Sequence, residues 1–251
     1  MTVQVANGDC LDLMKSLPDK SVDLFICDLP YGETNCSWDS VIDLAAFWKQ
    51  FKRLRKSKRT ACIHFCSTKF GFSLIKSWEK GFKMDMVWKK RNKTGGLAAK
   101  YRPMRNHEML YWFYEQAPLY NRDKYHTRVI PKNEYTHAQS GVYNEVTAGG
   151  SSKMQGGDYL SAKFSPKQPA SVIESTTVWT CTKRYHPTEK PQDVLEFLIK
   201  YWSDEGHTIL DPTMGSGSTG VACQKLGRNF IGYEMNPDIY AKACERLEVE
   251  H

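Results

Sequence analysis

The chain contains no run of eighteen apolar residues, so no segment reads as a membrane-crossing helix. No internal repeat is visible, and the composition excludes collagen, a coiled coil and wholesale disorder. Eight cysteines, at 10, 27, 36, 62, 66, 181, 223 and 244, include no C-x-x-C pair. Cys62 and Cys66 have no second close-spaced pair to complete a zinc framework, so no metal is expected and the thiols read as reduced and partly buried. Met1 to Asp9 lacks the basic start and apolar centre of an export signal, which leads to the expectation of a cytoplasmic protein.

What is present is ordinary for a globular protein: 251 residues, 41% hydrophobic and 25% charged. Thirty-five Lys and Arg against 28 Asp and Glu give a net charge of +7, a balance that suits a polyanionic partner. Such a length makes one elaborated domain or two small ones, and needs no disulfide or metal to hold a core.

Short apolar runs alternate with amphipathic stretches. Val3 to Val5, Leu24 to Cys27, Ala61 to Cys66, Met84 to Trp88 and Met109 to Tyr114 read as strands, the second buried on both faces. Asp43 to Lys56 and Lys69 to Lys80 read as helices, the latter closed by Gly81. The rhythm returns with a helix at Gln192 to Trp202, a strand at Thr208 to Leu210 and a helix at Ser218 to Leu226. A strand at Phe230 to Tyr233 and a helix at Pro237 to Leu247 complete it. Strands alternating with helices predict an α/β fold around a mostly parallel sheet. From 120 to 182 the apolar period is lost among Ser, Thr, Asn, Gln, Gly and Tyr, and this stretch reads as a functional insertion with little regular structure.

Two turns carry chemistry. Asp211-Pro212-Thr213-Met214-Gly215-Ser216-Gly217-Ser218-Thr219-Gly220 follows a strand and opens a helix, with Gly215, Gly217 and Gly220 in G-x-G-x-x-G spacing. Glu234 ends the next strand seventeen residues after Gly217 and is placed to accept hydrogen bonds from ribose hydroxyls. Only 31 residues follow Gly220, so the rest of the sheet must come from the amino-terminal part and the fold is circularly permuted. A nicotinamide-dependent oxidoreductase, the rival from another class, would carry this loop early. The second turn, Asp28-Leu29-Pro30-Tyr31, follows the buried strand Leu24 to Cys27, at the strand end where open α/β sheets place ligands. Pro30 stiffens it. Asp28 and the Leu29 carbonyl can accept the two protons of an exocyclic amine while Tyr31 stacks on the ring.

These residues together resemble an S-adenosylmethionine-dependent DNA amino-methyltransferase of the permuted β group. In that family a catalytic D-P-P-Y precedes the cofactor loop and a target-recognition region lies between them. Asn7-Gly8-Asp9-Cys10, Leu17 to Asp23 and His186-Pro187-Thr188-Glu189-Lys190-Pro191 resemble further family elements, and Asp211 to Gly220 resembles the family loop D-P-F-x-G-S-G-T-T. Leu29 replaces the first proline of D-P-P-Y while keeping a backbone carbonyl; Met214 replaces a loop residue beside the cofactor.

The resemblance implies a Rossmann-like methyltransferase fold with helices on both faces. It divides the chain into a catalytic part (1–119), a target-recognition insertion (120–182) and a cofactor-binding part (183–251). It places Asp28, Leu29, Pro30 and Tyr31 at the target amine. Thr188, Lys190, Asp211, Thr213, Gly215, Ser216, Gly217 and Thr219 would surround the methionine end of the cofactor, Glu234 its ribose, and Asp9 and Cys10 its adenine. Members acting on cytosine N4 usually carry S-P-P-Y, so Asp28 favours adenine N6; the same fold acting on cytosine N4 or on RNA, or binding DNA without catalysis, are the alternatives. The implied substrate is double-stranded DNA with the target base flipped out, in a restriction–modification setting, and a homodimer is an arrangement the family admits.

Lys89, Lys90, Arg91, Lys93, Lys100, Arg102 and Arg105 form a basic stretch without an acidic residue, broken by Gly95-Gly96. It reads as a flexible loop that closes over DNA phosphates. Lys49 to Arg59 holds another seven basic residues, for which an exposed helix face is at least as good a reading. Arg122, Lys124, Arg128, Asn133, Gln139 and Lys153 are available for base-edge readout within the insertion.

Overall fold

Leu24–Cys27 (LFIC) is buried at all four positions, as a strand covered on both faces must be. It is β2 of a chain whose computed structural model describes residues 1–32, 42–125, 127–129, 164–166, 169–175 and 189–249. The fold starts with β1 (Val3–Asn7) and α1 (Cys10–Ser16), whose N-terminus Asp9 caps by accepting from the amides of Leu11 and Asp12. After β2 come α2 (Leu44–Leu54), capped by Asp43, β3 (Ala61–Cys66), and α3 (Thr68–Ser77), capped by Ser67. Strands β4 (Phe82–Thr94) and β5 (Arg105–Phe113) follow. Beyond them lie α4 (Arg122–Tyr125), β6 (Thr127–Val129), β7 (Phe164–Pro166) and β8 (Val172–Glu174). The chain then forms α5 (Gln192–Trp202), β9 (Thr208–Asp211), α6 (Ser218–Lys225), β10 (Asn229–Glu234) and α7 (Pro237–Leu247).

Eight strands form one sheet in the order β1-β10-β9-β2-β3-β5-β4-β8. Pairing is parallel from β1 through β3, antiparallel for β3 with β5 and for β5 with β4, and parallel again for β4 with β8. The alternation of strand side chains sends Phe25, Cys27, Cys62 and Phe113 into one core with Met14, Phe47, Trp48, Phe51 and Leu74 of α1, α2 and α3. Trp112 points the other way and meets Trp202 of α5 at a ring separation of 5.0 Å. Chain order and strand order together place a switch point between β9 and β2: after β9 the chain moves outward to β10, after β2 it moves the opposite way to β3. A crevice opens outside the carboxyl ends of two such strands.

The chain divides into two compact units, Met1–Asn121 with Ala170–His251, and Arg122–Pro169. In the second, the described residues make α4 and a two-stranded antiparallel pair, β6 with β7. Strand β8 falls inside the stretch read as an insertion, yet it extends the edge of the main sheet beside Val87–Lys89.

Two sequence expectations need correction. Helix α3 stops at Ser77 rather than Lys80, because Trp78 leaves helical geometry (φ −152°) and a 3₁₀ turn follows. A Cβ on Gly81 would lie 2.2 Å from the Trp78 ring, so the indole itself occupies the space that ends the helix. The basic stretch 89–105 is not a loop: Lys89–Thr94 continues β4, Arg105 begins β5, and only 95–104 lies between the strands. Adjacent strands also gather a group that spacing along the chain does not announce. Within the core, Cys62 Sγ lies 3.8 Å from Cys27 Sγ and 3.1 Å from His64 Nε2.

Candidate active site

The carboxyl ends of β2 and β9 open onto a single cavity of about 620 Å³, within the range of small-molecule sites. The turn 28–31 forms part of its wall, the glycine turn after β9 another, and the end of β10 at Glu234 a third. Of the residues singled out from sequence, Asp9, Cys10, Asp28, Leu29, Pro30, Tyr31, Lys90, Lys190, Asp211, Thr213, Gly215, Ser216, Thr219 and Glu234 all line this one space. Thr188 lies outside the described residues, as do Asn133, Gln139 and Lys153.

Asp28 is held from two sides. The Tyr31 hydroxyl donates to its Oδ1 at 2.7 Å, and the Lys190 ammonium donates to Oδ2. Tyr31 in turn stacks on Phe70 with ring centroids 5.2 Å apart and an interplanar angle of 26°, so one of its faces is already taken. Burial pushes the Tyr31 hydroxyl well up, with the Asp28 charge adding to it, and the group stays a neutral donor.

Lys190 lies in the wall of the same cavity, and its ammonium bridges carboxylates. Besides Asp28, it lies 3.8 Å from Glu108 Oε2 and over the Phe65 ring. Burial alone would lower its pKa, but Asp28 and Glu108 outweigh burial and raise it. Glu108 also pairs with Lys90. Burial works against the Glu108 carboxylate, and the Lys190 and Lys90 charges overcome that and hold it below the ordinary carboxylate range. Glu108 sits in β5 opposite Trp88 of β4 and was missed from sequence. Its only signal there was an acidic residue directly before an apolar strand, a pattern that usually marks a solvated strand end.

In the glycine turn, Gly215 (φ 54°) and Gly217 (φ 78°) adopt left-handed geometry, and a Cβ on Gly215 would project into open space. Gly217 is the N-cap of α6. Gly220 has a different role: a Cβ there would stand 2.7 Å from Leu247 and 2.8 Å from Phe230, so its absence lets α6 lie against β10 and α7. The Met214 sulfur occupies the position left free by the missing side chain of Gly232, 2.4 Å from where that Cβ would be, which explains how the turn accommodates so large a residue.

Asp211 Oδ2 accepts from the Thr219 hydroxyl at 2.6 Å and Oδ1 from the Thr213 amide at 3.1 Å. Burial pushes the Asp211 carboxyl up to about 7 despite these two bonds. Glu234 accepts from the amides of Gly215 (3.1 Å) and Asn236 (2.8 Å); burial raises its pKa while those amides oppose the rise. Burial, with Asp9 adding, pushes the Cys10 thiol up to about 12, so it lines the cavity as a neutral thiol.

The basic residues divide into two sets. Lys89 pairs with Glu174 and Lys90 with Glu108, whereas Arg91, Lys93, Lys100, Arg102 and Arg105 form no ion pair with described residues. The other basic stretch is largely engaged in internal pairs: Arg53 with Asp19, Arg55 and Lys58 with Glu115, and Lys56 with Asp23.

A family model for DNA methylases of the N6/N4 group matches residues 22–245. The type II methyltransferase M1.MboII of Moraxella bovis is 26% identical over 94% of this chain and 92% of its own length. Among solved structures, an M1.HpyAVI–SAM complex aligns with a TM-score of 0.63 at 24% identity, covering 98% of this chain and 100% of that one. The cytosine-N4-specific PvuII DNA methyltransferase aligns with a TM-score of 0.64 at 16% identity, covering 98% and 86%. At those identities the two structures speak for a shared fold.

Proposed function

The chain belongs to the DNA methylase family, and on that premise we propose that it transfers a methyl group from S-adenosylmethionine to the N6 amine of adenine in double-stranded DNA. The observation that carries the reading is the convergence of Asp28-Leu29-Pro30-Tyr31 and the glycine turn on one cavity, from positions about 180 residues apart in the chain.

The donor set suits the cofactor. Glu234 keeps carboxylate lone pairs free beyond its two amide bonds and can accept from vicinal hydroxyls. Bare backbone at Gly215 leaves room for close approach. Asp211 supplies a buried carboxylate for a cationic group, and Thr213, Ser216 and Thr219 supply short polar side chains on the same wall. When bound, S-adenosylmethionine would supply a methyl group activated by its sulfonium sulfur: the amine lone pair forms the N–C bond as the C–S bond breaks to leave a neutral thioether, and the methylated nitrogen then loses one proton.

An exocyclic amine conjugated with a purine ring is a weak nucleophile, because its lone pair is delocalised. Asp28 and the Leu29 carbonyl accept its two N–H bonds, which draws the nitrogen toward tetrahedral geometry and localises the lone pair on the side away from them. Tyr31 and Lys190 fix the carboxylate in orientation, and Lys190 stays charged between Asp28 and Glu108. Alignment of two bound reactants supplies much of the acceleration. No thiol takes part as a nucleophile.

Adenine is preferred over cytosine because the turn begins with Asp28 rather than serine. The base leaves the duplex to reach the cavity, the basic hairpin of β4 and β5 meets phosphates, and residues 120–182 read the sequence in a restriction–modification setting. The test is transfer of labelled methyl from S-adenosylmethionine to unmethylated genomic DNA by the wild type and by Asp28→Ala. Label in DNA with the wild type, and at least a hundredfold less with the variant, is expected; equal labelling by both would overturn the assignment of Asp28.

A further inference from the structure

Strand β3 pairs with β5 only at Met109–Phe113, so the hairpin beyond Trp88 and Glu108 leaves the sheet's body with β8 alone beside its base. Beyond Lys89 the pairing register breaks, and Thr94 meets Arg105 only two residues past His107, so residues 90–93 bulge from the base of the hairpin. Lys90, Asn92 and Thr94 line the cavity, and Arg91 and Lys93 do not. Gly95 (φ 88°) turns the chain into a 3₁₀ turn at Gly96–Ala98.

At this tip the residues are apolar where solvent contact would favour polar ones. Leu97 is 103% exposed and Tyr101 89% exposed, the two most exposed large hydrophobic side chains among the described residues. Neither covers any part of the core. They stand among Arg91, Lys93, Lys100, Arg102 and Arg105, five cations without an ion-pair partner among the described residues. An apolar tip on a cationic arm, within a few residues of the mouth of the cavity, matches one occupant by chemistry: a base stack flanked by phosphates.

We propose that Leu97 and Tyr101 form a wedge that enters duplex DNA at the gap left by the extruded base, while the surrounding cations hold the flanking phosphates. The proposal rests on the reading of the chain as a DNA methyltransferase acting on a flipped base. An open gap in the stack would collapse or let the base return; an apolar plug lengthens the time the base spends in the cavity. The wedge therefore acts on duplex opening, whereas the cations act on attachment.

The test compares wild type, Leu97→Ala/Tyr101→Ala, the conservative Leu97→Met/Tyr101→Phe, and Arg91→Ala/Lys93→Ala on unmethylated genomic DNA. Methyl transfer, DNA affinity against salt concentration and thermal unfolding are measured for each. The alanine pair is expected to lower kcat/KM at least tenfold with an unchanged salt slope and unchanged melting, and the conservative pair to stay within threefold of wild type. The Arg91/Lys93 variant is expected to flatten the salt slope. Full transfer by the alanine pair would overturn the wedge while leaving the methyltransferase reading intact, as would a loss accompanied by a changed salt slope or melting. A wild type that transfers no methyl to DNA would remove the underlying reading and the wedge with it.

Discussion

The Thr213 hydroxyl donates to the main-chain carbonyl of Asp28 at 3.0 Å, joining residues 185 positions apart. The bond ties the glycine turn directly to the turn that holds the proposed target amine. Thr213→Val keeps the shape and removes the donor, leaving a part-buried carbonyl short of one partner. A loss of about 1 kcal/mol is expected, seen as a fall of a few degrees in melting temperature. A several-fold drop in kcat should accompany it. Unchanged kcat would mean that the two turns keep their relation without this bond.

Glu108 shares the Lys190 ammonium with Asp28, and under the proposed function it is a positioning residue that acts through that lysine. Glu108→Gln removes one of the two charges that keep the Lys190 pKa raised against burial. The Lys190 pKa then falls, so the alkaline limb of the pH–rate profile should move to lower pH. Cofactor affinity should stay within twofold of wild type. A profile superimposable on wild type would show that Asp28 alone suffices as counter-ion.

Asp211, pushed up to about 7 by burial, gives a pH dependence with a definite sign. As pH rises through 7 the carboxyl loses its proton, and a cationic cofactor is held better by the ionised form. Affinity for S-adenosylmethionine should therefore rise between pH 6 and 8 and level off above. Binding at pH 7 should release part of a proton, measurable by calorimetry in buffers of different ionisation enthalpy. The stability relation runs the other way. Between about pH 4 and 7 the folded state holds a proton that the unfolded state lacks, so this group's contribution to stability falls as pH rises across that window. Affinity that is flat or falling from pH 6 to 8 would place Asp211 away from the cofactor's charge.

Gly220 meets Leu247 and Phe230 so closely that an added methyl must displace one of them. Gly220→Ala should destabilise the fold by about 1–3 kcal/mol, read from denaturant midpoints.

What sequence carried best was local. Leu24–Cys27 announces a central strand by being wholly apolar, and Gln192–Trp202 and Pro237–Leu247 announce helices by period, with the same bounds in the structure. The two turns were visible because their residues are adjacent in the chain. The arms of the basic hairpin were not, since Lys89–Thr94 has no apolar alternation and is a strand only through pairs such as Lys89 with His107 and Thr94 with Arg105. Glu108 escaped for a related reason: its surroundings of Lys90, Lys190 and Asp28 come from three distant segments. The grouping of Cys27, Cys62 and His64 likewise depends on β2 lying beside β3.

The proposed methylation of adenine N6 in DNA is read most directly from the product. The direct measurement digests unmethylated genomic DNA to nucleosides after incubation with the protein and S-adenosylmethionine, and identifies the methylated nucleoside by mass spectrometry. N6-methyldeoxyadenosine is the expected product. N4-methyldeoxycytidine in its place would contradict the assignment of the target base, and no methylated nucleoside at all would contradict the activity.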